Sequence, residues 1–185
     1  MLVLVRHGHA GDKQSWRQAD ELRPLSDRGH QQARGLLVSL SALAPARLVT
    51  SPYLRCRQTL MPWAARTGQV LESAEELRPD ADVTVLDRML DPDADDVVLC
   101  THGETLNGLF SFWGRTRRLE LATNGVRVAQ RSTEKGGAWI VLPGTDHGGL
   151  LAQYVRPVLV GPVTPTTTPV VAASGDDRAV RVEPA

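Results

Sequence analysis

Arg6-His7-Gly8 and Thr101-His102-Gly103-Glu104 each follow directly on a short apolar run. A neutral imidazole nitrogen is a nucleophile available near neutral pH, and a phosphoryl group calls for in-line attack by such an atom. Arg6 beside His7 supplies a planar fork of donors that can hold two phosphoryl oxygens. His102 can donate to a third oxygen as charge develops in the transition state. Gly8 and Gly103, with no side chains, let a ligand approach the backbone beside each histidine. Each histidine alone also fits a plainer role, a strand-end residue bonded to the backbone. It is the pair, with the arginine, that points to phosphoryl chemistry.

Arg55 strengthens that reading. Ser51-Pro52 is a serine followed by proline, the pattern of a helix start, and places Arg55 in the first helical turn. Free N–H groups and the helix dipole favour an anion there. Arg57 is its near competitor. Lys13, Trp16 and Arg17 form a second polar cluster, in which a tryptophan flanked by cations can stack a base and meet further phosphates, or simply pack. Thr101 and Glu104 have the spacing of a capping box, which explains Glu104 structurally.

Other chemistries fail on spacing. His7 and His9 form a short His-x-His with no further ligand cluster, so no metal is expected. Neither cysteine is followed six residues on by arginine: Cys56 leads to Pro62 and Cys100 to Leu106. Cys56, between Arg55 and Arg57, is either an oxidisable thiol or a core residue of its helix. Walker-type and dinucleotide-binding glycine patterns are absent, so no cofactor is expected. His30 reads as a solvated helix residue and His147 as a turn residue.

The elements that must position these groups alternate. Leu2–Val5, Arg47–Thr50, Gln69–Leu71 and Val97–Cys100 read as strands. A helix capped by Ser26 carries Ala33, Leu36, Leu37, Leu40 and Leu43 until Pro45 stops it. The helix from Ser51-Pro52 buries Tyr53, Cys56, Leu60 and Trp63, contains Pro62 and ends at Gly68. Asp82 caps a short helix with Val83, Leu86, Met89 and Leu90 inward. A further helix after His102 carries Leu106, Leu109, Phe110 and Trp113, and Ala138–Leu142 and Leu150–Val155 read as two more strands. This alternation predicts a three-layer α/β/α sandwich with a mostly parallel sheet. Ligands of such sheets bind outside the carboxyl ends of the strands, where both histidines fall.

The chain has 185 residues, 42% hydrophobic and 23% charged, enough for one domain with a core. Residues 1–156 are expected to form that domain. The Pro- and Thr-rich stretch 157–185 is expected to be a disordered or loosely docked tail. Basic and acidic residues balance at 21 each, so no global field favours nucleic acid or an anionic membrane. No apolar run approaches the ~20 residues of a membrane span, and no signal peptide is expected at the start. Cys56 and Cys100 fit free thiols of a reducing, cytoplasmic compartment.

Four pieces, in order, resemble the histidine phosphatase, or phosphoglycerate mutase-like, superfamily. They are the first strand with Arg6-His7-Gly8, Leu25-Ser26-Asp27-Arg28-Gly29 with Gln32-Ala33, Ser51 through Thr59, and His102-Gly103. The resemblance implies a phosphohistidine intermediate on His7, a phosphate pocket of Arg6, Arg55 and His102, and no metal. It extends to two branches: SixA-type phosphohistidine phosphatases, and the phosphatase domain of MutT-type Nudix proteins, which the Lys13, Trp16, Arg17 and Lys135-to-Trp139 stretches resemble more. Larger members carry a glutamate acid after the third strand. Here Glu75 or Glu76 stands there, with Glu76 carried forward as the candidate, although SixA-type members lack this acid. The implied partner is a phosphorylated small molecule, a nucleotide or a phosphohistidine protein. A non-catalytic phosphate-binding member and a mutase are the alternatives.

Overall fold

A computed structural model describes residues 1–90, 96–116, 119–121, 133–144 and 149–162. Seven strands, β1 (Leu2–Arg6), β2 (Arg47–Thr50), β3 (Leu71–Ser73), β4 (Val97–Thr101), β5 (Leu119–Leu121), β6 (Ala138–Pro143) and β7 (Leu150–Val155), form one sheet. Its order is β3-β2-β4-β1-β6-β7-β5. Four of the six pairings are parallel, and β6 runs antiparallel to β1 and β7. The expected mostly parallel α/β sandwich is what forms.

Strand alternation divides the core in two. Leu2, Leu4, Val97 and Leu99 point to one face, where α3 (Val83–Met89) and α4 (Gly103–Arg115) contribute Leu86, Leu106, Leu109 and Trp113. Val3, Val5, Val98 and Cys100 point to the other, against Leu36 of α1 (Asp27–Ser39) and Cys56, Leu60 and Trp63 of α2 (Leu54–Thr67). Each such leucine contributes about 1.5–3 kcal/mol by leaving water.

The register of β1 and β4 matters most. Arg6 lies opposite Thr101 in a parallel pair, so the chain delivers His7 and His102 side by side at one sheet end. The His7 N–H donates to the Thr101 carbonyl at 3.0 Å, which locks that alignment.

Several boundaries differ from the expectation. The first helix stops at Ser39 rather than running to Pro45, although Ser26 caps it as expected. The second starts at Leu54, after the extended Tyr53, not at Ser51-Pro52. The Ser51 hydroxyl lies 3.0 Å from His102 Nε2 and accepts from the Tyr53 N–H at 3.5 Å, so no helical N–H of Leu54 onward is capped by it. Gly68 ends that helix in the left-handed region (φ 70°), as expected. The third strand is Leu71–Ser73, shifted toward the carboxyl side of the expected Gln69–Leu71. Met89 is 52% exposed rather than inward. The capping box fails: Thr101 ends β4 and donates its hydroxyl to the Leu77 carbonyl, His102 is the N-cap residue, and Glu104 is exposed. Strand β5 had no signal in the sequence.

Of the stretch assigned to the tail, residues 157–162 lie along α1. The Val160 N–H donates to the Gln31 carbonyl at 3.1 Å, and Arg34 Nε donates to the carbonyls of Val160 and Gly161 at 3.0 Å each. Gly35 makes this crossing possible, since a Cβ there would lie 1.8 Å from the Val158 carbonyl oxygen. Residues 163–185 and His147 lie outside the described residues.

Candidate active site

The site forms where β1, β2 and β4 end. His7 is 6% exposed. Its Nδ1 lies 2.7 Å from the Gly8 carbonyl, which can only accept, so Nδ1 carries the proton. Nε2 is left with its lone pair, and Arg55 Nε donates to it at 3.3 Å. Burial lowers the His7 pKa well below the ordinary imidazole value. The bond to Gly8 opposes that shift, and the charges of His102, Arg55 and Arg6 reinforce it. The ring is therefore neutral, with its Nε2 lone pair directed at the Arg55 guanidinium.

Arg55 Nη2 lies 3.4 Å from His102 Nδ1. His102 Nε2 lies 3.0 Å from the Ser51 hydroxyl and 3.6 Å from the Cys56 sulfur. The two imidazole rings stand edge to face, 5.2 Å apart.

Arg55 is the keystone of the arrangement and is 3% exposed. Besides both histidines it meets Asp20, donating to its backbone carbonyl at 2.7 Å and its carboxylate at 3.0 Å. The Tyr53 ring lies 4.5 Å beneath the guanidinium and 4.8 Å from the His102 ring. Asp20 also accepts from Arg23 Nε at 2.8 Å and lies 3.8 Å from Lys13 Nζ. Burial pushes the Asp20 carboxyl up, but the Arg23 bond and the charges of Arg55, Arg23 and Lys13 outweigh it and hold the group below the usual aspartate range.

Arg6 enters from β1. Its Nη1 donates to the Thr133 carbonyl at 2.5 Å, while its buried Nε has no hydrogen-bond partner among the described residues. An unmet buried donor is costly unless a ligand meets it. The guanidinium lies against the first residue of α4, where a Cβ on Gly103 would come within 2.7 Å of Arg6 Cζ. That helix end has no side-chain cap. Uncapped N–H groups and an arginine together suit an anion.

The remaining expected residues divide. Gly8 serves His7 through its carbonyl, and its N–H donates to Thr59 Oγ1 at 3.0 Å. A Cβ on Gly8 would come 2.9 Å from the Gly29 carbonyl oxygen. Lys13 reaches the site through Asp20. Trp16 is part-buried, donates its Nε1–H to the Ala19 carbonyl at 3.0 Å, and lines a shallow cavity with Arg23 and Pro24. Arg17 is exposed on the same loop. Glu76 lines a cavity of about 430 Å³ that reaches Arg47 and Val97 at the opposite ends of β2 and β4, and whose walls include none of His7, Arg6, Arg55 or His102. Glu75 pairs with Arg78 at 3.2 Å. The three-residue 3-10 turn Glu75–Leu77 buries Leu77, leaving Glu75 exposed and Glu76 half-buried.

The functional candidates that sequence reasoning passed over are Asp20, Ser51 in its role toward His102, Tyr53 and Thr59. Asp20 had one signal, its position three residues before Arg23. Ser51 and Tyr53 were legible only as a cap and a core residue. Among the described residues no cluster of His, Cys, Asp and Glu could hold a metal ion, and no helix is long and apolar enough to cross a membrane.

Comparison with known proteins agrees with this geometry. The model of the Histidine phosphatase superfamily (branch 1) matches residues 2–80, which hold Arg6, His7 and Arg55. An 8-oxo-(d)GTP phosphatase of Mycolicibacterium smegmatis (strain ATCC 700084 / mc(2)155) is 30% identical over 162 residues, covering 84% of this chain and 48% of that protein. The chain thus spans about half the length of this curated relative. A structure named for the phosphohistidine phosphatase SixA of Agrobacterium tumefaciens superposes with a TM-score of 0.64 at 19% identity, over 84% of this chain and 97% of that one. A SixA-named structure from Nakamurella multipartitia gives 0.57 at 25% identity, over 85% and 95%.

Proposed function

We propose, for a chain that belongs to the histidine phosphatase superfamily, that it is a metal-independent phosphatase working through a phosphohistidine on His7. The observation that carries this is the neutral His7 ring, with Nδ1–H tied to Gly8 and Nε2 facing the Arg55 guanidinium. In this reading Nε2 attacks phosphorus in line as the bond from phosphorus to the leaving group breaks. Arg6, Arg55 and His102 hold the three non-bridging oxygens and offset their charge. Water then attacks phosphorus, the bond to Nε2 breaks with its electron pair returning to the ring, and phosphate leaves as the water proton passes to it or to solvent.

The leaving group takes up a proton only if it is poor. Glu76 lines a cavity whose walls do not include His7. That favours substrates whose leaving group departs without protonation, such as the phosphate of a diphosphate or an imidazole. The substrate is a phosphorylated small molecule, a nucleotide or a phosphohistidine protein. The curated relative is named for an oxidised guanine nucleotide and the similar structures for phosphohistidine, so both classes belong in the test. A cytoplasmic location fits the two free cysteines.

The test is phosphate release from a phosphohistidine protein, nucleoside di- and triphosphates and a small aryl phosphate, with His7→Ala beside the wild type. Release from one class that disappears in His7→Ala supports the proposal. No release from any class, or equal release by the mutant, refutes it.

A further inference from the structure

We propose that Lys135, carried on the loop of residues 133–137, anchors a second phosphate subsite beside His7, so that the substrate carries two adjacent phosphates joined as a diphosphate. This deepens the phosphatase reading and rests on His7 as the group that meets the first phosphate.

The loop is fixed to the strand that bears His7. The Gly136 N–H donates to the carbonyls of Arg6 and His7 at 3.1 Å each, and the Arg6 N–H donates to the Gly137 carbonyl at 3.0 Å. The Arg6 guanidinium holds the Thr133 carbonyl. Gln32 ties the two segments from α1: its Oε1 accepts from the His9 N–H, and its Nε2 donates to the Lys135 carbonyl, both at 2.7 Å. Gly136 has φ of +79°, and a Cβ there would meet the Gln32 Cβ at 2.8 Å, so a glycine is required for this close turn. A lysine on an ordinary surface loop needs no such fixing.

Several cations act on it. Burial lowers the Lys135 pKa, and the charges of Arg6, Arg23, Arg28 and Arg55 lower it further. His9, next along the strand exit, is lowered by burial and by Lys135, Arg28 and Arg23. Asp20 pairs with Arg23 and Arg55. Among the described residues no carboxylate forms an ion pair with Arg6, Arg28 or Lys135. One phosphoryl group brings about two negative charges at neutral pH. Arg6, Arg55 and His102 already take it up, which leaves Lys135 and Arg28 for a second. A neutral leaving group would leave them uncompensated.

The experiment is calorimetric titration of inorganic phosphate and of pyrophosphate into wild type, Lys135→Ala and Lys135→Arg, without metal. In wild type pyrophosphate binds at least about tenfold tighter than phosphate. Lys135→Ala reduces that preference by about tenfold, and Lys135→Arg restores most of it. Equal affinity for the two anions in wild type, or a preference untouched by Lys135→Ala, overturns the subsite. These titrations need no turnover. A protein that prefers pyrophosphate through Lys135 yet hydrolyses nothing would lose the phosphatase reading and keep the subsite.

Discussion

Asp20 grips Arg55 twice, through its backbone carbonyl at 2.7 Å and its carboxylate at 3.0 Å, and so holds the guanidinium across both histidines. The Nη2 that donates to this carboxylate also lies 3.4 Å from His102 Nδ1, on the edge of Arg55 where the proposed mechanism puts the phosphate. Asp20 therefore does two opposed things: it orients the arginine and it competes with the substrate for it.

Asp20→Asn separates the two. Loss of a charge-assisted bond worth about 1.5–3 kcal/mol loosens Arg55 and lowers kcat by roughly 10- to 100-fold. Removing the negative charge strengthens binding of the product. Inhibition by inorganic phosphate should therefore tighten as kcat falls. A fall in kcat with weaker phosphate inhibition would show that the carboxylate does not compete.

Gly103→Ala tests the seat of Arg6. The added Cβ would lie 2.7 Å from Arg6 Cζ, so the flexible guanidinium must move rather than the backbone. A displacement of this kind costs about 10²-fold in kcat/KM. The thermal midpoint should hold or rise slightly, because alanine favours helix over glycine by about 1 kcal/mol. Steady-state kinetics and a thermal scan on one preparation check both halves.

Ser51→Ala removes the hydroxyl that lies 3.0 Å from His102 Nε2, leaving that buried nitrogen with the Cys56 sulfur. An unmet buried polar group costs about 1–3 kcal/mol. Activity should fall by roughly tenfold, and Ser51→Thr should recover part of it. Full activity in Ser51→Ala would mean that the His102 tautomer is set elsewhere.

The acid limb of the pH profile reports His7. Its pKa is lowered by burial and by its cationic neighbours, so the neutral, nucleophilic form persists below the ordinary value of 6.5. On lowering the pH, kcat/KM should hold through 6.5 and decline only well below it. A decline centred at or above 6.5 would place His7 in a wetter, less cationic setting.

The sequence exposed the parts of this site that obey a period. Leu2–Val5 and Val97–Cys100 were legible as buried strands because apolar runs bounded by polar residues have few other readings, and each ended on its histidine. What brings those ends together is the parallel pairing of Leu2 with Val97, a long-range choice that no local pattern encodes. Asp20 was hidden because it sits in a polar loop without periodicity, and its value comes from Arg55, far along the chain. Ser51 and Thr101 misled for one reason. Both have cap chemistry, and tertiary partners, His102 and the Leu77 carbonyl, claimed their hydroxyls first. Glu76 had the right residue type after the third strand, and it lines a cavity whose walls include none of His7, Arg6, Arg55 or His102.

The central claim is that His7 Nε2 accepts the phosphoryl group. Rapid acid-free quenching during turnover, followed by peptide mass spectrometry, tests it most directly. The account predicts a phosphoryl group on the peptide holding His7, stable in base and lost in acid, present in wild type and absent in a folded His7→Ala. Turnover with no phosphoryl group on His7, or activity retained in His7→Ala, would contradict it.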